Sequence, residues 1–397
     1  MPELADFENC TGCGACKSIC PHECIEMRTD VTGTIVPYVN TVCCTNCLSC
    51  EKICPALNPV KLRFPKLALA AWNNNDNERI SSASGGIASA IYSWVKSMRG
   101  ISIGALVAKD WTVKIVIAEN SHIPDEFRNS KYSFSDSSEV YDKIRKHIKT
   151  GVPVVLIGLP CQIAGYKKIF GERDNLFYVD LVCHGVSPNT YLKQHIRNIE
   201  QRYKVTAESM SFRAPELGTS NYYFTLYNSI GKIVYTRRSS DGDSYNIAFH
   251  RSYSYRENCY HCHYARPERC SDLTLGDYHG LGTCEPCDFD ANNVSLILIN
   301  TDEGLKLIDE MLRGNLITVV ERPLNEPIQG DSQLRRPSVK TQERRDFEKY
   351  IRIYNGDFEK TVHKVLTRKA RRETVKRIIR IPRSLINKIS RTLLVQE

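Results

Sequence analysis

The 397-residue sequence lacks the features of a membrane or secreted protein. It contains no run of 18 apolar residues, so we expect no transmembrane helix. Its first six residues carry neither the basic nor the apolar segment of a secretory signal, so we expect the protein to stay in the reducing cytoplasm. No aromatic residue follows Val362, although the last residues of the chain are rich in Lys and Arg. Because single-stranded nucleic acids are bound by stacking of bases on aromatic side chains, this basic segment is a poor candidate for nucleic-acid binding.

Cysteine, by contrast, is abundant. The sequence has 17 cysteines, far more than the packing of a core requires. Because disulfides are rare in a reducing cytoplasm, these cysteines are better explained as metal or redox ligands. The composition therefore predicts a metalloprotein.

Positive charge is concentrated at the C-terminus. Residues 361–397 hold 11 Lys and Arg against 2 Asp and Glu, whereas residues 1–360 hold 43 of each. Isoleucines are interleaved with the basic residues, which predicts a basic amphipathic helix, a break at Pro382 and a second helix. Such a segment suits an anionic surface at the inner face of a membrane, an acidic partner protein, or packing against the rest of the chain.

The first sixty residues contain a repeated cysteine motif. The pattern C-x2-C-x2-C-x3-C-P begins at Cys10 and again, 34 residues later, at Cys44. In bacterial ferredoxins with this spacing, three cysteines of one run and the fourth of the other hold each 4Fe–4S cluster. The first predicted ligand set is Cys10, Cys13, Cys16 and Cys54. The second set is Cys44, Cys47, Cys50 and Cys20, which leaves Cys24 and Cys43 outside the motif.

Two zinc sites are the alternative explanation of this repeat, since zinc also accepts four thiolate ligands. Zinc motifs usually consist of separated C-x2-C pairs, whereas each run here has four cysteines. We therefore predict a ferredoxin domain with two 4Fe–4S clusters.

The rest of the chain is predicted to alternate strands and helices. Apolar runs at residues 66–72, 152–157, 176–182 and 294–299 are typical of strands, and a helix is predicted from Ile87. The predicted fold class is α+β, with a di-cluster ferredoxin domain followed by a larger α/β catalytic domain. The predicted divisions are residues 1–58 for the ferredoxin domain, 59–66 for a linker, 67–320 for the larger domain and 321–397 for a C-terminal extension.

Two segments of the larger domain suit ligand binding. The Ser/Gly loop of residues 82–86 precedes the predicted helix, where free N–H groups favour an anion such as phosphate. A serine cap of the helix explains the same loop equally well. Cys161 and Cys183 each follow an apolar strand, and ligands bind at the carboxyl ends of α/β strands.

Five motifs resemble those of the coenzyme F-420 hydrogenase/dehydrogenase beta-subunit family, in family order. They are Ser82-Ala-Ser-Gly-Gly86, Gly158-Leu-Pro-Cys-Gln162, Asp180-Leu-Val-Cys-His-Gly-Val-Ser187, Cys259-x2-Cys262 and Asp272-Leu-Thr-Leu-Gly-Asp277. The resemblance implies an iron–sulfur flavoprotein oxidoreductase. Such a protein passes electrons between a redox partner, 4Fe–4S clusters and FAD, and on to a small-molecule acceptor or the deazaflavin F-420.

The resemblance also implies the residues of the sites. FAD is expected at Ser82, Ser84, Gly85, Gly86, Gly276 and Asp277. A third 4Fe–4S cluster is expected at Cys161, Cys183, Cys259 and Cys262. Asp277 and His279 are candidates for a catalytic residue by position alone. Relatives usually carry Phe-Trp where this sequence has Tyr278-His279, so the flavin surroundings are expected to differ here.

A structural zinc site is the alternative to the third cluster. The pairs Cys259-x2-Cys262 and Cys284-x2-Cys287 have nearly the spacing of a zinc ribbon. Under that interpretation Cys161 and Cys183 have no function. Under the cluster interpretation the cysteines without a function are Cys270, Cys284 and Cys287.

The function therefore has three interpretations. The favoured one is a flavin-dependent iron–sulfur oxidoreductase. The second is a non-enzymatic subunit that delivers electrons to a partner enzyme, for example in polysaccharide biosynthesis, and the third is a zinc-stabilised binding protein. A cysteine nucleophile at Cys161 is disfavoured, because a thiol enzyme does not need ferredoxin clusters.

Overall fold

The computed structural model describes residues 2–118 and 125–379. The fold is α+β, as predicted. Residues 2–58 form a small module with two short helices and one hairpin, and the residues that follow form a larger body built on two sheets.

Thirteen strands lie in the described residues, arranged as a hairpin, a three-stranded sheet and an eight-stranded sheet. The strands are β1 Ile25–Thr29, β2 Ile35–Val39, β3 Leu67–Asn73, β4 Ile101–Val107, β5 Val113–Ala118, β6 Val154–Gly158, β7 Leu176–Leu181, β8 Ser209–Ser211, β9 Phe224–Tyr227, β10 Ile233–Arg237, β11 Leu273–Asp277, β12 Ser295–Ile299 and β13 Ile317–Arg322.

Twelve α-helices occur in the same part of the chain. They are α1 Ala15–Ile19, α2 Ser49–Ile53, α3 Asp76–Ser81, α4 Ile87–Ser97, α5 Tyr141–Ile148, α6 Pro160–Phe170, α7 Asn189–Tyr203, α8 Ser244–His250, α9 Asp302–Arg313, α10 Asn325–Gly330, α11 Gln342–Ile353 and α12 Phe358–Ile379. Among these described helices, none combines the length and the apolar character needed to cross a membrane.

The eight-stranded sheet brings the predicted ligand-binding segments to one edge. Its strand order is β13-β3-β12-β11-β7-β6-β4-β5. The four strands β4, β6, β7 and β11 are parallel, so β6, β7 and β11 end at the same edge. Asp277, at the end of β11, pairs with Ser295, at the start of the antiparallel β12, and Ser295 pairs with Ala71 near the end of β3. Strand β3 therefore also ends at this edge. We call this side of the sheet the carboxyl edge.

Both faces of this sheet are covered, which explains the largely apolar sequences of β6, β7 and β12. On β6, Val155 and Ile157 pack against α4 and α9, whereas Val154 and Leu156 pack against α5 and α6. Complete burial of each such side chain stabilises the fold by about 1.5–3 kcal/mol. The predicted strand at residues 152–157 is observed as β6.

The N-terminal module packs against the α5–α6 side of the body. Ala15 of α1 belongs to the same buried cluster as the apolar residues of these helices. The carbonyl of Cys13 accepts hydrogen bonds from Ser137 Oγ at 3.0 Å and Tyr141 Oη at 2.8 Å. In the predicted linker, the backbone of Arg63 exchanges two 2.8 Å hydrogen bonds with that of Arg269. This segment therefore lies along the body rather than away from it.

The C-terminal segment contributes to both the sheet and the core. Strand β13 runs across the predicted division at residues 320 and 321 and pairs with β3. Phe347 of α11 and Phe358 and Val362 of α12 are buried beside α7 and the three-stranded sheet. The residues after 320 are thus part of the body as far as α12.

The first basic residues of the segment 361–397 pair with carboxylates of α11. Arg372 contacts both Asp346 and Glu343, and Arg368 lies 3.4 Å from Asp346. The described part of the predicted amphipathic helix therefore packs on the body. The predicted break at Pro382 and the second helix lie outside the described residues.

Candidate functional site

A cavity of about 850 Å³ opens at the carboxyl edge of the eight-stranded sheet. Its volume lies in the range of about 300–1,000 Å³ that is typical of small-molecule and cofactor sites. Five of the six residues expected to contact FAD line it, namely Ser82, Ser84, Gly86, Gly276 and Asp277. The sixth, Gly85, packs on the sheet, where a Cβ would lie 2.3 Å from the carbonyl oxygen of Ala71.

The amino end of α4 faces this cavity without a side-chain cap. Its N-cap is Gly86, with a φ of 78°, a left-handed conformation that favours glycine. Ser82 Oγ donates instead to Glu78 O at 2.7 Å, and Ser84 Oγ bonds with Ser295 Oγ at 2.7 Å. The serine-cap explanation is therefore not observed, and the first N–H groups of α4 remain available to an anionic ligand.

Asp277 pairs with Arg213, which was not among the predicted site residues. Arg213 Nη1 donates to Asp277 Oδ2 at 2.7 Å, and its Nε donates to Thr219 O at 2.7 Å. Arg213 is only 4% exposed and its guanidinium lies over the ring of Tyr222. Asp277 therefore positions Arg213 in the cavity wall.

Lys131 is a second cavity residue that gave no signal in the sequence. It lies in the loop before α5, and its Nζ donates to the carbonyl of Asn129 at 3.0 Å. Burial lowers the pKa of Lys131 to about 7, because the charged ammonium loses solvation. Near neutral pH this side chain is therefore divided between its charged and its neutral form.

The four cysteines of the expected third cluster converge beside the cavity. Cys161 is the second residue of α6, which follows β6, and Cys183 follows β7. Cys259 lies in a short 3-10 turn and Cys262 directly after it. The thiols lie close enough together that the charge on one would raise the pKa of another. Cys183 also lines the cavity. Burial raises the pKa of the Cys259 thiol to about 11, so an ionised sulfur here requires a cationic partner such as a metal centre.

The arrangement of these thiols does not suit a single zinc ion. Four thiolates bound to zinc at about 2.3 Å lie roughly 3.8 Å from one another. Among the described residues, only one group brings three or more His, Cys, Asp or Glu ligand atoms within 4.8 Å of one another, and it contains no cysteine. The sulfur atoms of these four cysteines are therefore farther apart than a single zinc ion requires. Cys284 is exposed on a separate loop, where its N–H donates to Glu326 Oε1. The spread of the thiols suits a larger centre such as a 4Fe–4S cluster.

The buried cation Arg256 also fits anionic clusters. Its side chain is 2% exposed and donates to backbone carbonyls, and no carboxylate in the described ranges forms an ion pair with it. The thiols of Cys10, Cys161 and Cys259 lie within its electrostatic range. A buried cation needs a compensating charge, which thiolate-bound clusters on either side would supply.

The two N-terminal ligand sets are also assembled. In the first set, Cys16 is within electrostatic range of Cys10, Cys13 and Cys54. The four cysteines of the second set, Cys20, Cys44, Cys47 and Cys50, line one small cavity. Cys24 lines it too, and its N–H donates to Cys20 Sγ at 3.3 Å. The backbone at position 24 therefore holds the sulfur of Cys20 in place, a function that does not need the Cys24 thiol.

The first ligand set adjoins the expected third cluster. Cys13 Sγ packs against Gly165, one helical turn beyond Cys161 on α6. Tyr141 lies within electrostatic range of Cys13, Cys16 and Cys161. The structure thus places the first ligand set next to the four cysteines of the expected third cluster.

Comparisons with known proteins confirm the family resemblance. Residues 153–323 match the family model for the C terminus of the coenzyme F-420 hydrogenase/dehydrogenase beta subunit, and residues 5–26 match a 4Fe–4S binding domain. Among solved structures, a chain of the F-420-reducing nickel–iron hydrogenase complex from Methanosarcina barkeri, studied by xenon derivatization, is 16% identical, with a TM-score of 0.42. That match covers 79% of this chain and 94% of the other. No curated protein matches the chain.

Proposed function

Because the chain joins a 4Fe–4S module to the C-terminal domain of the coenzyme F-420 hydrogenase/dehydrogenase beta-subunit family, we propose that it is an iron–sulfur flavoprotein oxidoreductase. FAD occupies the cavity at the carboxyl edge, beside a third 4Fe–4S cluster. The observation that carries the proposal is that Cys183 belongs both to the converging thiols and to the cavity wall. Bound FAD supplies the conversion between one-electron and two-electron transfer.

The proposed electron route begins at the second ligand set. Cys47 is exposed, whereas Cys13 of the first set is buried against the body. A redox partner protein therefore meets the second set, from which the first set and the third group lead to the cavity. The direction of transfer depends on the partner and the acceptor.

The cavity residues have separate proposed functions. The uncapped amino end of α4 binds the pyrophosphate through backbone N–H groups. Arg213, oriented by Asp277, presents a permanent positive charge to the ligand. Lys131 holds a proton that it releases near neutral pH.

Metal and flavin analysis of anaerobically purified protein tests the proposal. We expect about twelve irons per chain, four for each cluster, and one FAD. Cys161→Ser should lose about four irons. The matched control Cys287→Ser should keep all of them, because Cys287 lies outside the converging thiols. About eight irons and one zinc, with the zinc lost in Cys287→Ser, would establish the zinc interpretation instead.

Reoxidation of the reduced protein separates an enzyme from an electron-delivery subunit. The cavity extends from the expected FAD residues to His184, His279 and Arg336, which leaves space for an acceptor. We expect the isolated, chemically reduced chain to reduce a soluble acceptor, with coenzyme F-420 as the first to be tried. If the flavin-containing protein reduces a partner protein but no small molecule, it is a subunit that delivers electrons to a partner enzyme.

A further inference from the structure

A second group of metal-ligand side chains lies in the wall of the same cavity. His184 follows β7, His279 follows β11, and Asp331 follows α10. One ligand atom from each lies within 4.8 Å of the others. His184 Nε2 lies 3.7 Å from Asp331 Oδ2. None of the three belongs to the thiol groups described above.

Contact between two glycine backbones brings two of these residues together. A Cβ on Gly280 would lie 2.8 Å from Gly330 Cα, and one on Gly330 would lie 2.1 Å from the carbonyl oxygen of His279. Neither position has room for a side chain. The loop after β11 and the end of α10 are therefore joined directly, which holds His279 beside Asp331.

Hydrogen bonds orient the other parts of the group. The N–H of Gln333 donates to Asp331 Oδ1 at 2.8 Å, which leaves Oδ2 towards His184. Ser338 Oγ donates to the carbonyl of His184 at 2.7 Å and so fixes the loop that carries this histidine. Such supporting bonds typically orient the ligands of a metal site.

We propose that His184, His279 and Asp331 bind one divalent transition-metal ion in the cavity. Two imidazoles and one carboxylate form a ligand set for ions such as Zn²⁺, Fe²⁺ and Mn²⁺. Asp331 is 4% exposed, and a buried carboxylate is stabilised by a bound cation.

The remaining coordination positions of the ion face the cavity. They suit an oxygen-donor group of the substrate, such as a carboxylate or a carbonyl. The ion has no part in the electron route, so this inference goes beyond the proposed function.

Titration with Mn²⁺ tests the site in the anaerobically purified holoprotein, with free Mn²⁺ counted by electron paramagnetic resonance. Mn²⁺ is the probe because it prefers nitrogen and oxygen ligands and binds thiolates weakly. We expect one saturable site per chain. His279→Gln and Asp331→Asn should each weaken binding by at least about tenfold.

The matched control is His250→Gln, which alters another histidine of the cavity outside the group. It should retain wild-type Mn²⁺ affinity, and the iron count of each variant reports whether the fold is intact. Wild-type protein without saturable binding, or equal binding in all three variants, would overturn the metal site. Because Mn²⁺ binding requires no flavin, protein that binds Mn²⁺ but lacks FAD would overturn only the proposed function.

Discussion

The guanidinium of Arg256 lies directly on the backbone of Gly12. Its Nη1 donates to Thr11 O at 2.9 Å and its Nη2 to Ile35 O at 3.0 Å. Gly12 has a φ of 69°, and a Cβ there would lie 2.7 Å from Nη1. Because Arg256 directly precedes the turn that carries Cys259, one side chain connects the loop of the first ligand set to the third thiol group.

Replacement of Arg256 by methionine should detach this connection. It removes the Arg256 donors from two half-buried carbonyls, those of Thr11 and Ile35, at up to about 1–3 kcal/mol each, and it removes the positive charge between the proposed clusters. We expect a lower thermal unfolding temperature and less iron per chain than in the wild type. Arg251→Met, at an exposed arginine five residues earlier, is the control. Equal iron content and stability in both variants would contradict the assignment of a structural function to Arg256.

A methyl group at Gly165 should disturb the contact between the module and the body. The Cβ of Gly165→Ala would lie 2.9 Å from both Cys13 Sγ and Tyr141 Oη. Overpacking of this kind costs about 1–3 kcal/mol. We expect a lower denaturant midpoint and loss of iron from the first ligand set. Gly314→Ala, whose nearest contact is an ordinary 3.4 Å, should change neither; an unchanged Gly165→Ala protein would refute the close packing.

His195 should make the stability of the body dependent on pH. The ring is 2% exposed and bonds through Nδ1 to Glu359 at 2.7 Å and through Nε2 to Asp243 at 3.0 Å. Burial acts to lower its pKa, but the two carboxylates outweigh burial and raise the pKa to about 10. The imidazolium therefore holds α7, α8 and α12 together at neutral pH.

Because the folded pKa is raised, the stabilisation by His195 is complete below the unfolded pKa of about 6.5 and is lost as pH rises towards 10. His195→Gln should cost about 3–5 kcal/mol near pH 6 and progressively less at higher pH. Thermal unfolding of both proteins between pH 6 and pH 10 checks this, with the exposed His22→Gln as control. A constant difference across the range would show that the ring is neutral.

Short-range patterns predicted the elements of this fold but not the residues that complete its site. Largely apolar runs identified β6, β7 and β12, because strands buried on both faces need them. Arg213, Asp331 and Lys131 lie in loops without a spacing rule, and only the strand order brings them to one cavity. The serines before α4 were ambiguous for a related reason, since capping and ligand binding favour the same residues.

Lys131 should make FAD binding dependent on pH. Burial lowers its pKa to about 7, so the fraction carrying positive charge falls as pH rises through neutrality. Because a charged ammonium attracts the anionic pyrophosphate, we expect FAD affinity to fall by about tenfold between pH 6 and pH 8. Fluorescence titration of flavin-depleted protein measures this dependence. Lys131→Met should bind FAD weakly at every pH, whereas Lys96→Met, at an exposed lysine of the same cavity, should keep the wild-type profile. A wild-type affinity that does not change with pH would show that the Lys131 ammonium does not face the ligand.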